Sequence, residues 1–528
     1  MKLKLHLHRT QSIILIFSLL LQGCSFPTRS NNATNSSRPN LILIITDDLD
    51  FHLGSIGYMQ NLQKLIIAEG LSFNNFYVTT PLCCPSRVTF LRGQYPHNHG
   101  IFTNAPPSGG FDAFTSLDLE SSTLATWLQA AGYRTVMLGK YLNGFPNKDD
   151  HFYIPPGWSE WYAPVRGKPY AGRDYQLNDN GKKVNFGDQP EDYLTDVLAQ
   201  RAVNFIRNVS KESVPFFMYF STYAPHEPAR PAQRHQNLFN DIRAPQPPSF
   251  NEEDVGDKPE GIKGDPLLTQ DEIIEINERY ITRLRSMQAV DEMIAKLVQV
   301  LDKTNQLDNT YIVFTSDNGF HLGQHRLKKG KGTPYLEDIQ VPFIVRGPEV
   351  VRGEVLDGYI VGNIDLAPTF AELAGIKYPE FVDGRSLVPL FTASRPPIAS
   401  WRQALLLEQF KARNANETDS TDSDEDTFSD QIPDTSNNQE LTLLRNELVE
   451  VLYLGLITPR YKFVEYGYGF RELYDLANDP YELNNIALST NPEILEQFSA
   501  WLREYSACST NGCKFVEEKP VPEIDKFN

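Results

Sequence analysis

Leu41-Ile42-Leu43-Ile44-Ile45-Thr46-Asp47-Asp48 is a short apolar run that ends on two adjacent carboxylates. A strand with one wet face would alternate apolar and polar residues, so an unbroken run of this length reads as a parallel strand covered on both sides. Similar runs recur at 135–138, 216–220 and 311–314, and helical patterns fill the intervals at about 60–69, 120–131, 192–208 and 271–303. Strands alternating with helices predict an α/β domain with helices on both faces of a mostly parallel central sheet. Ligands of such sheets bind beyond the C-terminal strand ends. Asp47 and Asp48 follow the first run, and Asp317 and Asn318 follow the fourth, so both pairs are expected at the same edge. Either pair alone would be ordinary turn or helix-cap chemistry. Together they form a hard oxygen cluster that suits Ca²⁺ or Mg²⁺ and does not suit zinc.

A second stretch carries the nucleophile chemistry: Pro81-Leu82-Cys83-Cys84-Pro85-Ser86-Arg87-Val88-Thr89-Phe90-Leu91-Arg92-Gly93. Pro85, with a fixed φ and no N–H, fits the first position of a helix. Cys83 is then expected just ahead of a helix N-terminus, where free amides and the dipole favour an anion. Arg87, within the first turn, offers a planar fork for oxyanions. A buried thiol pair or a vicinal disulfide would account for the cysteines but leave Ser86, Arg87 and Gly93 unexplained.

This stretch resembles the signature of the type I sulfatases of the alkaline-phosphatase superfamily, Cys-x-Pro-Ser-Arg-x-x-x-(Leu/Thr)-x-Gly, in which the first cysteine is oxidised to formylglycine (3-oxoalanine). The spacing to Pro85 assigns that role to Cys83. The resemblance widens to Asp47-Asp48, Gly132-Tyr133-Arg134-Thr135 through Gly139-Lys140, the histidine of Pro225-His226-Glu227-Pro228, Ser316-Asp317-Asn318-Gly319, and Lys331 four residues before Tyr335. Asp383-Gly384-Arg385-Ser386-Leu387 and the tail Glu472-Leu473-Tyr474-Asp475 through Asp479-Pro480-Tyr481-Glu482 also match, so the resemblance runs from about residue 40 to 515 in family order. One departure stands out. Where many arylsulfatases have Gly-Lys-Trp-His, this chain has Gly139-Lys140-Tyr141-Leu142-Asn143, the form of the N-acetylglucosamine-6-sulfatase branch. His97 and His99 are candidates to replace the missing histidine, or are packed structural histidines; His321 and His325 are similarly open, with substrate binding one reading.

The resemblance implies an alkaline-phosphatase-like α/β/α sandwich with a smaller C-terminal antiparallel sheet and helix. It implies a hydrolase of sulfate monoesters, aryl or sugar sulfates including glycan 6-O-sulfates. Asp47, Asp48, Asp317, Asn318 and the modified Cys83 would hold Ca²⁺, with Mg²⁺ the alternative. Arg87 and Lys140 would orient the formylglycine hydrate, Lys331 would hold sulfate oxygens, and His226 would protonate the leaving alcohol. A formylglycine-generating maturation enzyme and a sulfated small molecule or glycan are the implied partners. A phosphate or phosphonate monoester hydrolase of the same superfamily is a rival reading, and a lipid-tethered glycan-binding protein with Cys83 left as a thiol is another.

The remaining organisation follows from composition. Lys2, Lys4 and Arg9 precede the apolar run 13–21, which reads as a signal peptide over 1–23. Leu21-Gln22-Gly23-Cys24 resembles a lipobox, with Cys24 as lipidation site and membrane attachment; an ordinary signal peptide is the alternative. Residues 24–39 read as a tether, 40–400 as the catalytic domain, 411–440 as an acidic disordered insert and 441–528 as the smaller subdomain. Export to the periplasm or cell surface suits Cys508 and Cys513 as a small disulfide loop. Cys84 is left free or as a small buried hydrophobe. The formal charge of −18 becomes −21 without residues 1–23, and residues 416–440 hold nine acidic and no basic side chains, which argues against nucleic-acid binding. Arg326, Lys328, Lys329 and Lys331 form a basic run that either attracts a polyanionic glycan or is a solvated loop.

Overall fold

A computed structural model describes residues 38–146, 151–413 and 449–524. The signal segment, Cys24, the tether up to residue 37 and the acidic insert from residue 414 lie outside the described residues. Five strands form the parallel centre of a ten-stranded sheet, in the order Thr310–Ser316, Asn40–Thr46, Phe216–Ser221, Arg134–Gly139 and Glu160–Lys168. The unbroken apolar run is explained by its two covered faces. Leu41, Leu43 and Ile45 enter a core with Val88, Leu128 and Phe370, while Ile42 and Ile44 enter one with Leu198, Phe205, Met287 and Ile294. Helices Cys83–Arg92, Leu124–Ala130 and Leu366–Leu373 supply the first layer, and Leu194–Val209 and Gln270–Lys303 the second. On one side Ile344–Arg346 and then Leu71–Phe73 join antiparallel, with Glu354–Leu356 parallel to Leu71–Phe73 at the edge; on the other side Arg173–Asp179 and Lys182–Phe186 are antiparallel.

The smaller sheet is wholly antiparallel: Leu405–Ala412, Val449–Ile457, Tyr461–Tyr466 and Arg471–Asp475. The helix Pro492–Tyr505 packs on it, with Phe498 stacked on Phe463 at 5.3 Å. Leu405–Ala412 pairs directly with Val449–Ile457, so the acidic stretch connects two neighbouring strands of one sheet. Cys508 and Cys513 are joined by a disulfide just beyond the helix. Among the described residues no helix is long and apolar enough to cross a membrane.

Candidate active site

Sheet register assembles the site. Thr46 stands opposite Ser316, and Ile45 and Gly139 both stand opposite Ser221. The residues that leave these strands therefore emerge together, with Asp47 beside Asp317 and Asp48 beside Asn318. The Asp48 amide donates to Asp317 Oδ1 at 3.1 Å, and Asn318 Nδ2 donates to Asp48 Oδ1 at 2.7 Å. Glycines make the close approaches. A Cβ on Gly139 (φ 98°) would lie 1.7 Å from Ser221 O, and one on Gly319 would lie 2.0 Å from Glu337 O.

The helix carrying Cys83 starts earlier than the proline suggests. Leu82 is its cap, Cys83 its first residue and Pro85 its third. Proline is tolerated there because first-turn amides have no intrahelical acceptor. Cys83 thus lies in the first turn, completely buried, with Sγ 3.6 Å from Asp47 Oδ1 and 2.9 Å from Lys331 Nζ. Lys331 Nζ also donates to Asp48 Oδ1 at 2.7 Å, and Lys140 Nζ lies 2.8 Å from Asp47 Oδ2. His226 Nε2 is 3.7 Å from Asp48 Oδ2, while its Nδ1 lies 2.8 Å from the Glu227 carbonyl and so carries the proton donated there. Neither Cys83 nor Cys84 is in a disulfide.

Arg87 behaves differently from a fork open to a ligand. It is fully buried; Nε donates to Asp317 Oδ2 at 2.8 Å, and Nη1 to Lys140 O at 3.0 Å and Ser221 Oγ at 2.6 Å. Nη2 lies 2.7 Å from Asp317 Oδ2 and 3.6 Å from Asp47 Oδ1. A buried charge has to be paired, and these contacts make Arg87 a clamp across four strand ends.

Charge crowding is visible in the acidities. Asp47 is held well below the usual carboxylate range: burial opposes its charge, but Lys140, His226, Arg87 and Lys331 outweigh burial. Asp317 is pushed up to about 6 by burial and by the charges of Asp47 and Asp48, against Arg87. Burial drives the Cys83 thiol well above its ordinary value, so an unmodified Cys83 stays protonated and is a poor nucleophile. The fully buried Asn318 Oδ1 has no hydrogen-bond partner. This orphan acceptor, set among three carboxylates, gives a donor set that fits a hard cation such as Ca²⁺ or Mg²⁺.

Several residues escaped the sequence reading. Arg283, on the long helix, donates from Nη1 to Pro225 O at 3.2 Å and from Nη2 to Asp48 O, holding the chain on both sides of the cleft. Its signal was a charge among the buried positions Tyr280, Leu284 and Met287. Asn363 donates to Ser86 Oγ at 3.0 Å, and Ser86 Oγ donates to Asp317 O at 2.5 Å. Tyr170 brings its ring to 4.5 Å from His226.

The four open histidines are each engaged by the protein. His99 is buried against Thr89 Oγ1 at 3.1 Å, and its acidity is that of a neutral, desolvated ring. His97 bridges Glu408 and Cys508 O, His321 meets Asp338 at 2.9 Å, and His325 meets Glu252 at 2.7 Å. Most of the basic run is tied inward, Arg326 to the carbonyls of Glu252, Glu253 and Asp265 and Lys329 to Glu227, whereas Lys328 is exposed and pairs with Glu272 at the surface.

A family model described as sulfatase matches residues 39–376. The N-acetylglucosamine-6-sulfatase of Capra hircus is 34% identical over 497 residues, covering 92% of this chain and 86% of that protein. The Drosophila melanogaster extracellular sulfatase SULF-1 homolog is 36% identical over 399 residues, 74% of this chain; the match spans only 35% of that longer protein. A solved protein in complex with its substrate D-glucosamine-2-N,6-O-disulfate shares the fold, with a TM-score of 0.71 at 24% identity, over 92% of this chain and 100% of that one.

Proposed function

The chain belongs to the sulfatase family, and from that premise we propose that it hydrolyses sulfate monoesters, with sugar 6-O-sulfates and aryl sulfates as the substrate classes. The supporting observation is that Lys331 Nζ touches Cys83 Sγ and Asp48 Oδ1 at once, at 2.9 and 2.7 Å. One ammonium group thus contacts both residue 83 and the acidic pair. A formylglycine hydrate at position 83 would supply a nucleophilic hydroxyl and a second hydroxyl whose deprotonation restores the aldehyde as the C–O bond to sulfate breaks. Asp47, Asp48, Asp317, Asn318 and residue 83 would hold a divalent cation, which would supply charge neutralisation at the reacting group. The chain's own residues do the rest. Lys331 and Lys140 present ammonium groups to oxyanions at either side of residue 83. Arg87 keeps Asp47 and Asp317 in place. His226, with Nδ1–H committed to Glu227 O, carries its transferable proton on Nε2 beside Asp48 and delivers it to the leaving alcohol. Maturation by a formylglycine-generating enzyme, export and lipid attachment at Cys24 belong to the same reading.

The test pairs chemistry with turnover. Protein purified from its native host should yield a peptide around residue 83 that is lighter than the cysteine form and reactive toward hydrazides. It should cleave aryl and 6-O-sulfated sugar esters faster than aryl phosphates. An intact Cys83 thiol, or preference for phosphate, would sink the assignment.

A further inference from the structure

We propose that Tyr170 forms the wall of a leaving-group subsite that binds the ring of a cyclic alcohol, pyranose or aryl, and so favours cyclic over open-chain sulfate esters. The inference deepens the sulfate-ester reading and rests on it. Tyr170 lies in the single turn Pro169–Ala171, on the antiparallel extension of the sheet. Its ring centroid is 4.5 Å from that of His226, tilted by 47°, and 4.9 Å from Tyr223 at 90°. Lys140 Nζ lies 5.0 Å from the same ring centroid, within cation–π range. The alcohol that receives a proton from His226 must therefore leave alongside Tyr170.

Exposure orders these groups from inside to outside. Lys140 and His226 are 3% and 5% exposed, whereas Tyr170 is only half-buried and is the part of the trio that an entering molecule meets. Tyr170, Tyr193, Tyr223 and His226 line one narrow crevice. A ring leaving past His226 would lie against the part of the Tyr170 ring that the protein leaves uncovered, an apolar face that suits a pyranose or aryl ring.

The turn is also fixed before any ligand arrives. Leu194 N donates to Gly172 O at 3.0 Å, Arg173 Nη2 to Pro231 O at 3.2 Å, and Tyr193 Oη to Arg230 O at 2.9 Å. These bonds tie the strand-turn bearing Tyr170 to the chain just after His226. A wall held this way loses little freedom on binding.

Calorimetric binding of phenyl sulfate and ethyl sulfate, together with the kcat/KM ratio for the same pair, tests the inference on the full chain, Tyr170→Ala, Tyr170→Leu and Tyr170→Phe. The phenyl-over-ethyl preference should fall about tenfold in Tyr170→Ala, fall similarly in Tyr170→Leu, and be retained in Tyr170→Phe. Because each ratio is read within one sample, incomplete folding of a variant cancels. Equal weakening of both esters in Tyr170→Ala, or loss of preference in Tyr170→Phe, overturns the inference alone. A parent protein that binds neither ester removes the sulfate-ester reading itself.

Discussion

Two fully buried charge clusters in this molecule solve the same problem in different ways. Where the smaller sheet meets the larger domain, the Arg402 guanidinium donates to both oxygens of Asp365, at 2.6 and 2.7 Å, and to Glu517 at 2.5 Å. The amides of Gly362 and Arg385 and the Tyr505 hydroxyl take up further carboxylate lone pairs. A planar fork separates the like charges there and uses its geometry fully. In the cleft, Asp47, Asp48 and Asp317 crowd one another, two of the three cations are lysine point charges, and Asn318 Oδ1 is unmatched. Asp317 is pushed up to about 6 by burial and, after it, by the charges of Asp47 and Asp48, which Arg87 only partly offsets. The contrast teaches that buried charge closed on itself is architecture, while buried charge left crowded awaits a cation and an anionic substrate.

The sharpest break of that contrast would come from exchanging consequences. Arg402→Leu removes the fork, leaving Asp365 buried without its charged partner and Glu517 with Arg385 alone, so unfolding free energy should fall by about 3–5 kcal/mol. Turnover per folded molecule should hold. Urea denaturation and active-site titration read the two quantities. Lys331→Ala should do the reverse, with kcat falling about 10²–10³-fold, or about 2.7–4 kcal/mol, and the unfolding midpoint shifting far less. If Lys331→Ala destabilises as strongly as Arg402→Leu, the two clusters are one kind of structure. Below these in size comes the cation itself. In chelator-treated protein, Ca²⁺ at 100 times its Kd should add about 2.7 kcal/mol to stability by thermal denaturation, and Asp317→Asn should abolish the gain. Equal stability of the parent with and without Ca²⁺ would contradict the metal reading.

Much of this cleft was legible because parallel register is a strong constraint. Once Leu41–Ile45 and Tyr311–Phe314 are neighbours, Asp47-Asp48 and Asp317-Asn318 must emerge side by side. Lys140 is legible only through the resemblance that spans Gly132 to Lys140; the structure adds why a glycine precedes it, since a Cβ on Gly139 would meet Ser221 O. What stayed hidden depends on tertiary packing. Arg87 looks like a ligand-binding fork in isolation, and only its burial among four strand ends shows it spent on the protein. Tyr170 follows the strand Glu160–Lys168, which turns from parallel to antiparallel pairing along its length, mixes buried and exposed residues and carries Pro164 and Gly167. That composition weakens a strand pattern. Leu405–Ala412 was obscured because the chain leaves its hairpin partner for the acidic stretch before returning.

His97 lies between the two extremes and gives the smallest expected effect. Its Nδ1 is 2.7 Å from Glu408 Oε1 and its Nε2 is 2.9 Å from Cys508 O. Both partners are acceptors, and a neutral imidazole has one N–H, so only the imidazolium satisfies both. Burial opposes the charge, yet Glu408 outweighs it and holds the His97 pKa above its ordinary 6.5. A histidine whose folded pKa is raised contributes stability that is fully present below the unfolded value and is lost as pH rises through the folded one. Unfolding free energy should therefore decline from about pH 6.5 upward, and His97→Gln, which cannot take up the proton, should lack that share of the slope. Urea midpoints at pH 6, 7 and 8 for both proteins measure the difference. Parallel pH dependences would show that this pair, although titratable, is as closed as the Arg402 cluster; a steeper parent slope would make it a seam between the two sheets whose strength follows the proton.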